Sequence, residues 1–182
     1  MVTQLTSNST RGKFRAEGMR FGVVTSRYNN SITEPLERAA LDALKTAGAS
    51  AKQVEVLHVP GAFELPLASK KLAETGKVNA IIAIGCVLRG ETSHYDYICS
   101  EVARGIQLAQ MDTGVPIIFC VLTCDTMEQA VERSWPREGN KGQEAGLAAL
   151  EMASLVRTLH GTTTKTIKPA AKTRTTSRKA RR

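Results

Sequence analysis

Apolar runs and helical repeats alternate along this chain. FGVVTS from Phe21, QVEVLHV up to Val59, VNAIIAIGCVL up to Leu88 and VPIIFCVLT from Val115 are short and rich in β-branched residues, and each predicts a strand. After the first of these, Leu36, Ala39, Ala40, Ala43, Leu44 and Ala47 recur at helical spacing, with Gly48 as the stop. Ser31 or Thr33 can cap that helix, and Pro35 is tolerated near its first turn. LPLASKKLAETG, HYDYICSEVARGIQLAQMDTG and GQEAGLAALEMASLVRTL read as further helices. Thr126 and Gln129 form a capping box that opens a shorter one.

Strands that alternate with helices imply a parallel sheet with crossover helices, and strands apolar on both faces imply a sheet covered on both sides. The expected fold is α/β, a three-layer α/β/α sandwich on a four-stranded parallel sheet. Such a sheet exposes its ligand site at the carboxyl ends of the strands. Residues 1–19 show no periodicity and read as a flexible arm, 20–160 as the folded domain, and 161–182 as a disordered basic tail.

Charge changes this picture only at one end. The formal net charge is +8, but 8 of the 25 Lys and Arg residues fall between Lys165 and Arg182, where there is no Asp or Glu. Removing them leaves 17 basic against 17 acidic residues, so the body is formally neutral. The tail is a solvated extension or a polyanion-binding one. No apolar run approaches the ~20 residues that cross a bilayer, and the N-terminus lacks an apolar signal core. The expected location is therefore cytoplasmic, with no membrane partner. Cys86, Cys99, Cys120 and Cys124 form no C-x-x-C pair, and His58, His94 and His160 lie far apart. Neither a disulfide framework nor a zinc site is expected.

Candidate chemistry gathers in the loops after the strands. Tyr28 is either a plate for a flat ligand or a cover for the sheet edge. In PGAFE, Phe63 offers a ring, and Glu64 offers a carboxylate for hydroxyls or for the dipole of the next helix. RGETSH is the densest set. Gly90 permits close backbone approach, Thr92 and Ser93 bring hydroxyls to a helix N-terminus that favours phosphate, and His94 offers an imidazole that can shuttle protons. Alternatively, Ser93 and Asp96 merely cap that helix. Phe119, mid-strand, reads as core. Arg133 and Lys141 are either phosphate ligands or isolated surface cations. The chain contains no G-x-x-x-x-G-K-[ST], no G-x-G-x-x-G and no nucleophile elbow.

FGVVTSRYN, VPGAFELPLA, AIIAIGCVLRGETSHYDYIC, GVPIIFCVLT, EQAVERS and GNKGQEAGLAALEM, taken in order and at their spacing over residues 21–159, resemble the lumazine synthase family. The resemblance implies a flavodoxin-like fold. It implies a transferase that joins 5-amino-6-(D-ribitylamino)uracil to 3,4-dihydroxy-2-butanone 4-phosphate without metal or organic cofactor. By resemblance, Tyr28 stacks on the pyrimidine. Ala62, Phe63 and Glu64 line the ribityl pocket, and the backbone of Cys86, Val87 and Leu88 holds the ring and its side chain. Glu91 and Thr92 bind the butanone phosphate, and His94 transfers protons. Family sites lie between the subunits of a homopentamer, so Phe119, Arg133 and Lys141 would come from the neighbour, with Arg133 on phosphate.

Three positions depart from the family pattern. Tyr28 stands where Phe or Trp is common. Glu91 replaces a small residue, so its side chain should turn away. Trp135-Pro136 stands where glycine is common, in a loop of unchanged length that favours a 60-subunit shell. The competing reading is a non-catalytic shell that binds lumazine or flavin, with the tail on polyanions.

Overall fold

The computed structural model describes residues 14–135 and 139–162. Its strands are β1 (Phe21–Ser26), β2 (Val54–Val59), β3 (Ala80–Leu88) and β4 (Ile117–Cys124). Its helices are α1 (Asn30–Thr46), α2 (Leu65–Glu74), α3 (His94–Thr113), α4 (Met127–Ser134) and α5 (Lys141–Thr162). The four strands form one parallel sheet in the order β2-β1-β3-β4.

Alternate side chains of the two central strands feed two separate cores. Phe21, Val23, Ile82 and Ile84 pack with Leu36 and Leu44 of α1 and with Ala149 and Leu150 of α5. Val24, Ile81 and Ala83 pack with Leu65 and Leu72 of α2 and with Val102 and Ile106 of α3. This is the three-layer α/β/α sandwich expected from the alternation, and it explains why residues 21–24 of β1 and most of β3 are apolar without interruption. Each fully buried aliphatic side chain contributes about 1.5–3 kcal/mol. β2 lies at the sheet edge, and accordingly Glu55 and Val56 are exposed.

From β1 the chain crosses outward to β2, then returns past β1 to β3. The strand order therefore reverses between β1 and β3. At that reversal the helices lie on opposite faces, and a crevice opens at the carboxyl ends.

Three local expectations need correction. Neither Ser31 nor Thr33 caps α1. Its cap residue is Asn29, left-handed at φ 59°, and Thr33 Oγ1 instead donates to the Ser26 carbonyl at 2.9 Å. Pro35 is inside α1 rather than in its first turn. Residues 14–19 do not behave as a loose arm. Ala16 and Met19 are fully buried, the Ala16 N–H donates to the Ala47 carbonyl, and Gln53 Nε2 donates to the carbonyls of Ala16 and Met19. Residues 1–13, the basic stretch beyond Thr162, and Pro136 lie outside the described residues. No helix among the described residues is long and apolar enough to cross a membrane.

Candidate active site

The loops after β1, β2 and β3 meet at the reversal point. The β1–β2 ladder continues past the strands through Arg27 N–H to the Val59 carbonyl (2.8 Å) and Tyr28 N–H to the Pro60 carbonyl (3.1 Å). This lays Tyr28 beside the PGAFE turn. Asn29 Nδ2 donates to the Cys86 carbonyl at 2.9 Å, which ties the same loop to the end of β3. Asparagine suits that place because it tolerates the left-handed conformation and carries a donor. The PGAFE turn can press onto β3 because Gly85 has no side chain. A Cβ there would stand 3.0 Å from Leu65 Cδ1 and 3.4 Å from Ala62 Cβ.

The result is a cleft of about 840 Å³ lined by Tyr28, Asn29, Gly61, Ala62, Phe63, Glu64, Cys86, Val87, Leu88, Gly90, Thr92, His94, Tyr95 and Ile98. Tyr28 is 71% exposed and Phe63 57% exposed, so neither ring serves as core or as an edge cover. Glu64 Oε2 accepts the Gly61 N–H at 2.9 Å, which fixes the carboxylate at the cleft wall. The Cys86 thiol is pushed up to about 12 by burial and, secondarily, by Cys124, so it stays neutral. Ser93 makes no side-chain cap on α3, contrary to the bland alternative for the SHYD stretch. Thr92 Oγ1 instead accepts the His94 N–H at 3.4 Å. Asp96 turns to Arg89. Glu91 is exposed and not among the lining residues.

Phe119, Arg133 and Lys141 line a different cleft of about 420 Å³, along β4 and against α4 and α5. The two linings share no residue. Phe119, expected in the core from its strand context, is 44% exposed because β4 is the sheet's other edge. Arg133 donates to the Gln129 carbonyl (2.8 Å), and Lys141 Nζ pairs with Glu144 at 2.8 Å. Asn140, 6% exposed, holds this corner. Its Oδ1 accepts the N–H groups of Gly142 (2.8 Å) and Gln143 (3.3 Å) at the start of α5, and its Nδ2 donates to the Ser134 carbonyl. Among the described residues no group of three or more His, Cys, Asp or Glu side chains is placed to hold a metal ion.

Sequence reasoning had not singled out Asn29, Tyr95 or Asn140. The doubled Asn after Tyr28 and the Asn between Gly139 and Lys141 were the available signals, since both stand where a helix must start.

The arrangement is that of an α/β protein with a parallel sheet whose ligand cleft sits at the strand-order reversal. The 6,7-dimethyl-8-ribityllumazine synthase family model matches residues 18–157, and the chain belongs to that family. It is a family of transferase-type enzymes that form a ribityllumazine in riboflavin biosynthesis, act on small molecules and work as oligomers.

Proposed function

We propose that this protein condenses 5-amino-6-(D-ribitylamino)uracil with 3,4-dihydroxy-2-butanone 4-phosphate to 6,7-dimethyl-8-ribityllumazine, releasing phosphate and water. The first cleft of one copy, completed by the second cleft of its neighbour in a ring, is the reaction site. The observation that carries this reading is the gathering of Tyr28, Ala62, Phe63, Glu64, Cys86, Val87, Leu88, Thr92 and His94, from four separate stretches of chain, around one cleft.

In this reading the pyrimidine lies on the exposed Tyr28 ring. The ribityl chain runs toward Phe63 and the Glu64 carboxylate, which accepts its hydroxyl protons. The Cys86 carbonyl is already engaged by Asn29, so ring recognition falls mainly on the backbone of Val87 and Leu88. The phosphate sits by Thr92 and the start of α3, where the positive end of the helix dipole favours an anion. Arg133 and Lys141 approach it from the neighbour. Their own-chain partners are exposed, so exchanging them for phosphate costs little.

The substrate amine attacks the ketone, and water leaves to give an imine. Phosphate is then eliminated, and the second amine closes the ring on the remaining carbonyl with loss of a second water. His94 moves protons in these steps, and Arg133 offsets charge on the departing phosphate. Holding two reactants together supplies much of the rate. The separation of Phe119, Arg133 and Lys141 from the first cleft supports a site shared between copies, in a pentamer or in a shell built from pentamers.

The test is to mix purified protein with both substrates and follow lumazine absorbance and phosphate release together. Stoichiometric appearance of both is expected. Tight lumazine binding without turnover would favour a non-catalytic binder, and neither binding nor turnover would defeat the proposal.

A further inference from the structure

We infer that Arg89 is a positioning residue for the proposed reaction, a clamp that sets the His94 loop against the corner preceding α4. The inference rests on the reaction proposed above. Arg89 Nε donates to Asp125 Oδ1 at 2.7 Å and its Nη1 to Asp96 Oδ1 at 3.0 Å. Its guanidinium also lies 4.0 Å from the centre of the Tyr95 ring, and the Arg89 backbone N–H donates to the Cys124 carbonyl at 3.0 Å. One side chain thus joins three stretches: the end of β3, the first turn of α3 and the β4–α4 corner.

These contacts are poor candidates for a stability role. Arg89 is 43% exposed, and the two carboxylates are 61% and 63% exposed. Ion pairs this open add little to folding. What they do fix is geometry. Residues 90–93 are exposed, and nothing lies within 4 Å of where a Cβ on Gly90 would stand. The loop therefore takes its position from its two ends. Arg89 holds one end, and through Tyr95 and Asp96 it holds the other, with His94 immediately beside them. On the far side, Asp125 precedes Thr126, whose Oγ1 caps α4, the helix that carries Arg133. The planar fork is needed because the two carboxylates and the ring are met by one flat group, which a lysine ammonium does not provide.

The test compares full-length Arg89→Met, Arg89→Lys, Asp96→Asn/Asp125→Asn and the combined triple variant with the parent in steady-state kinetics. Arg89→Met should lower kcat roughly 10- to 100-fold, the scale of loss for a reacting group displaced by about an ångström. It should raise KM for the phosphate substrate while KM for the ribitylaminouracil stays within about threefold, because Tyr28, Phe63 and Glu64 stand on other loops. Arg89→Lys should recover only part of the loss. The double Asn variant should reproduce the defect, and the triple should add nothing further, as expected for one shared clamp. Parent-like kinetics in Arg89→Met, equal loss of affinity for both substrates, or additive losses in the triple variant would overturn the assignment while leaving the reaction intact. Absence of turnover in the parent chain would remove both. If Arg89→Met does not fold, the double Asn variant carries the same comparison of the two KM values.

Discussion

Asn140→Ala is the perturbation whose size the structure defines best. The side chain is 6% exposed and makes three hydrogen bonds, two as the cap of α5 and one across the loop to Ser134. Losing an Asn cap costs about 0.5–2 kcal/mol. Ser134 is fully buried, and leaving its carbonyl without a partner costs about 1–3 kcal/mol. Together these give roughly 1.5–5 kcal/mol, which for a domain of this size lowers Tm by about 3–20 °C. Asn140→Asp separates the two parts. Its carboxylate still accepts from Gly142 and Gln143 and gains from the helix dipole, but it faces the Ser134 carbonyl with an oxygen instead of a donor. Its Tm should fall between parent and Ala. Because Asn140 sits between Ser134, next to Arg133, and Lys141, the Ala variant should also raise KM for the phosphate substrate. Calorimetry at one fixed protein concentration is the assay, since Tm of an oligomer depends on concentration. An Ala variant within about 1 °C of the parent, or an Asp variant less stable than Ala, would refute the reasoning.

Gly142→Ala should destabilise by about 1–3 kcal/mol in chemical denaturation, because its Cβ would meet Leu36 backbone carbon at 2.7 Å and α5 must leave α1. Burial pushes the Cys86 and Cys120 thiols from 9.0 up to about 12. Their folded values lie above the unfolded ones, so the stability of the neutral thiols is complete below pH 9.0 and is lost as pH rises toward about 12. Tm should fall steeply above about pH 9, and a Cys86→Ala/Cys120→Ala chain should show a shallower slope. His94→Ala should slow kcat by roughly 10- to 100-fold without abolishing turnover, since proximity remains. Arg133→Ala should act chiefly on KM for the phosphate substrate; parent rates in both variants would contradict the proposed roles.

The layers of this fold were legible because β1 and most of β3 are buried on both sides, and a strand in that position is built mainly from apolar residues, with only Thr25 and Ser26 as polar residues at the end of β1. The stop at Gly48 and the Thr126–Gln129 cap were legible for the same kind of local reason. Gly48 takes φ 95°, Thr126 Oγ1 accepts the Gln129 N–H, and Gln129 Oε1 accepts the Asp125 N–H. What failed depended on partners far along the chain. Ser31 and Thr33 looked like caps, but the Ser26 carbonyl claims Thr33, and Asn29 takes the cap position. Residues 14–19 looked loose because their anchors, Ala47 and Gln53, come about thirty residues later. Phe119 looked like core because periodicity cannot tell an edge strand from a central one. Within the site, local motif reading left Glu64, His94, Arg133 and Lys141 each with a functional and a merely structural alternative, and only the resemblance gave them roles. The structure then placed Arg133 and Lys141 together in a second cleft rather than in the first.

That division between clefts leads to the most direct measurement. His94→Ala and Arg133→Ala chains should be co-expressed, purified as mixed assemblies and assayed below KM for the phosphate substrate. If the site is shared between neighbours in a ring, about a quarter of the sites under random mixing carry both groups intact, and turnover should rise clearly above that of either variant alone. A mixed assembly no faster than the mean of the two separate variants would contradict the shared site.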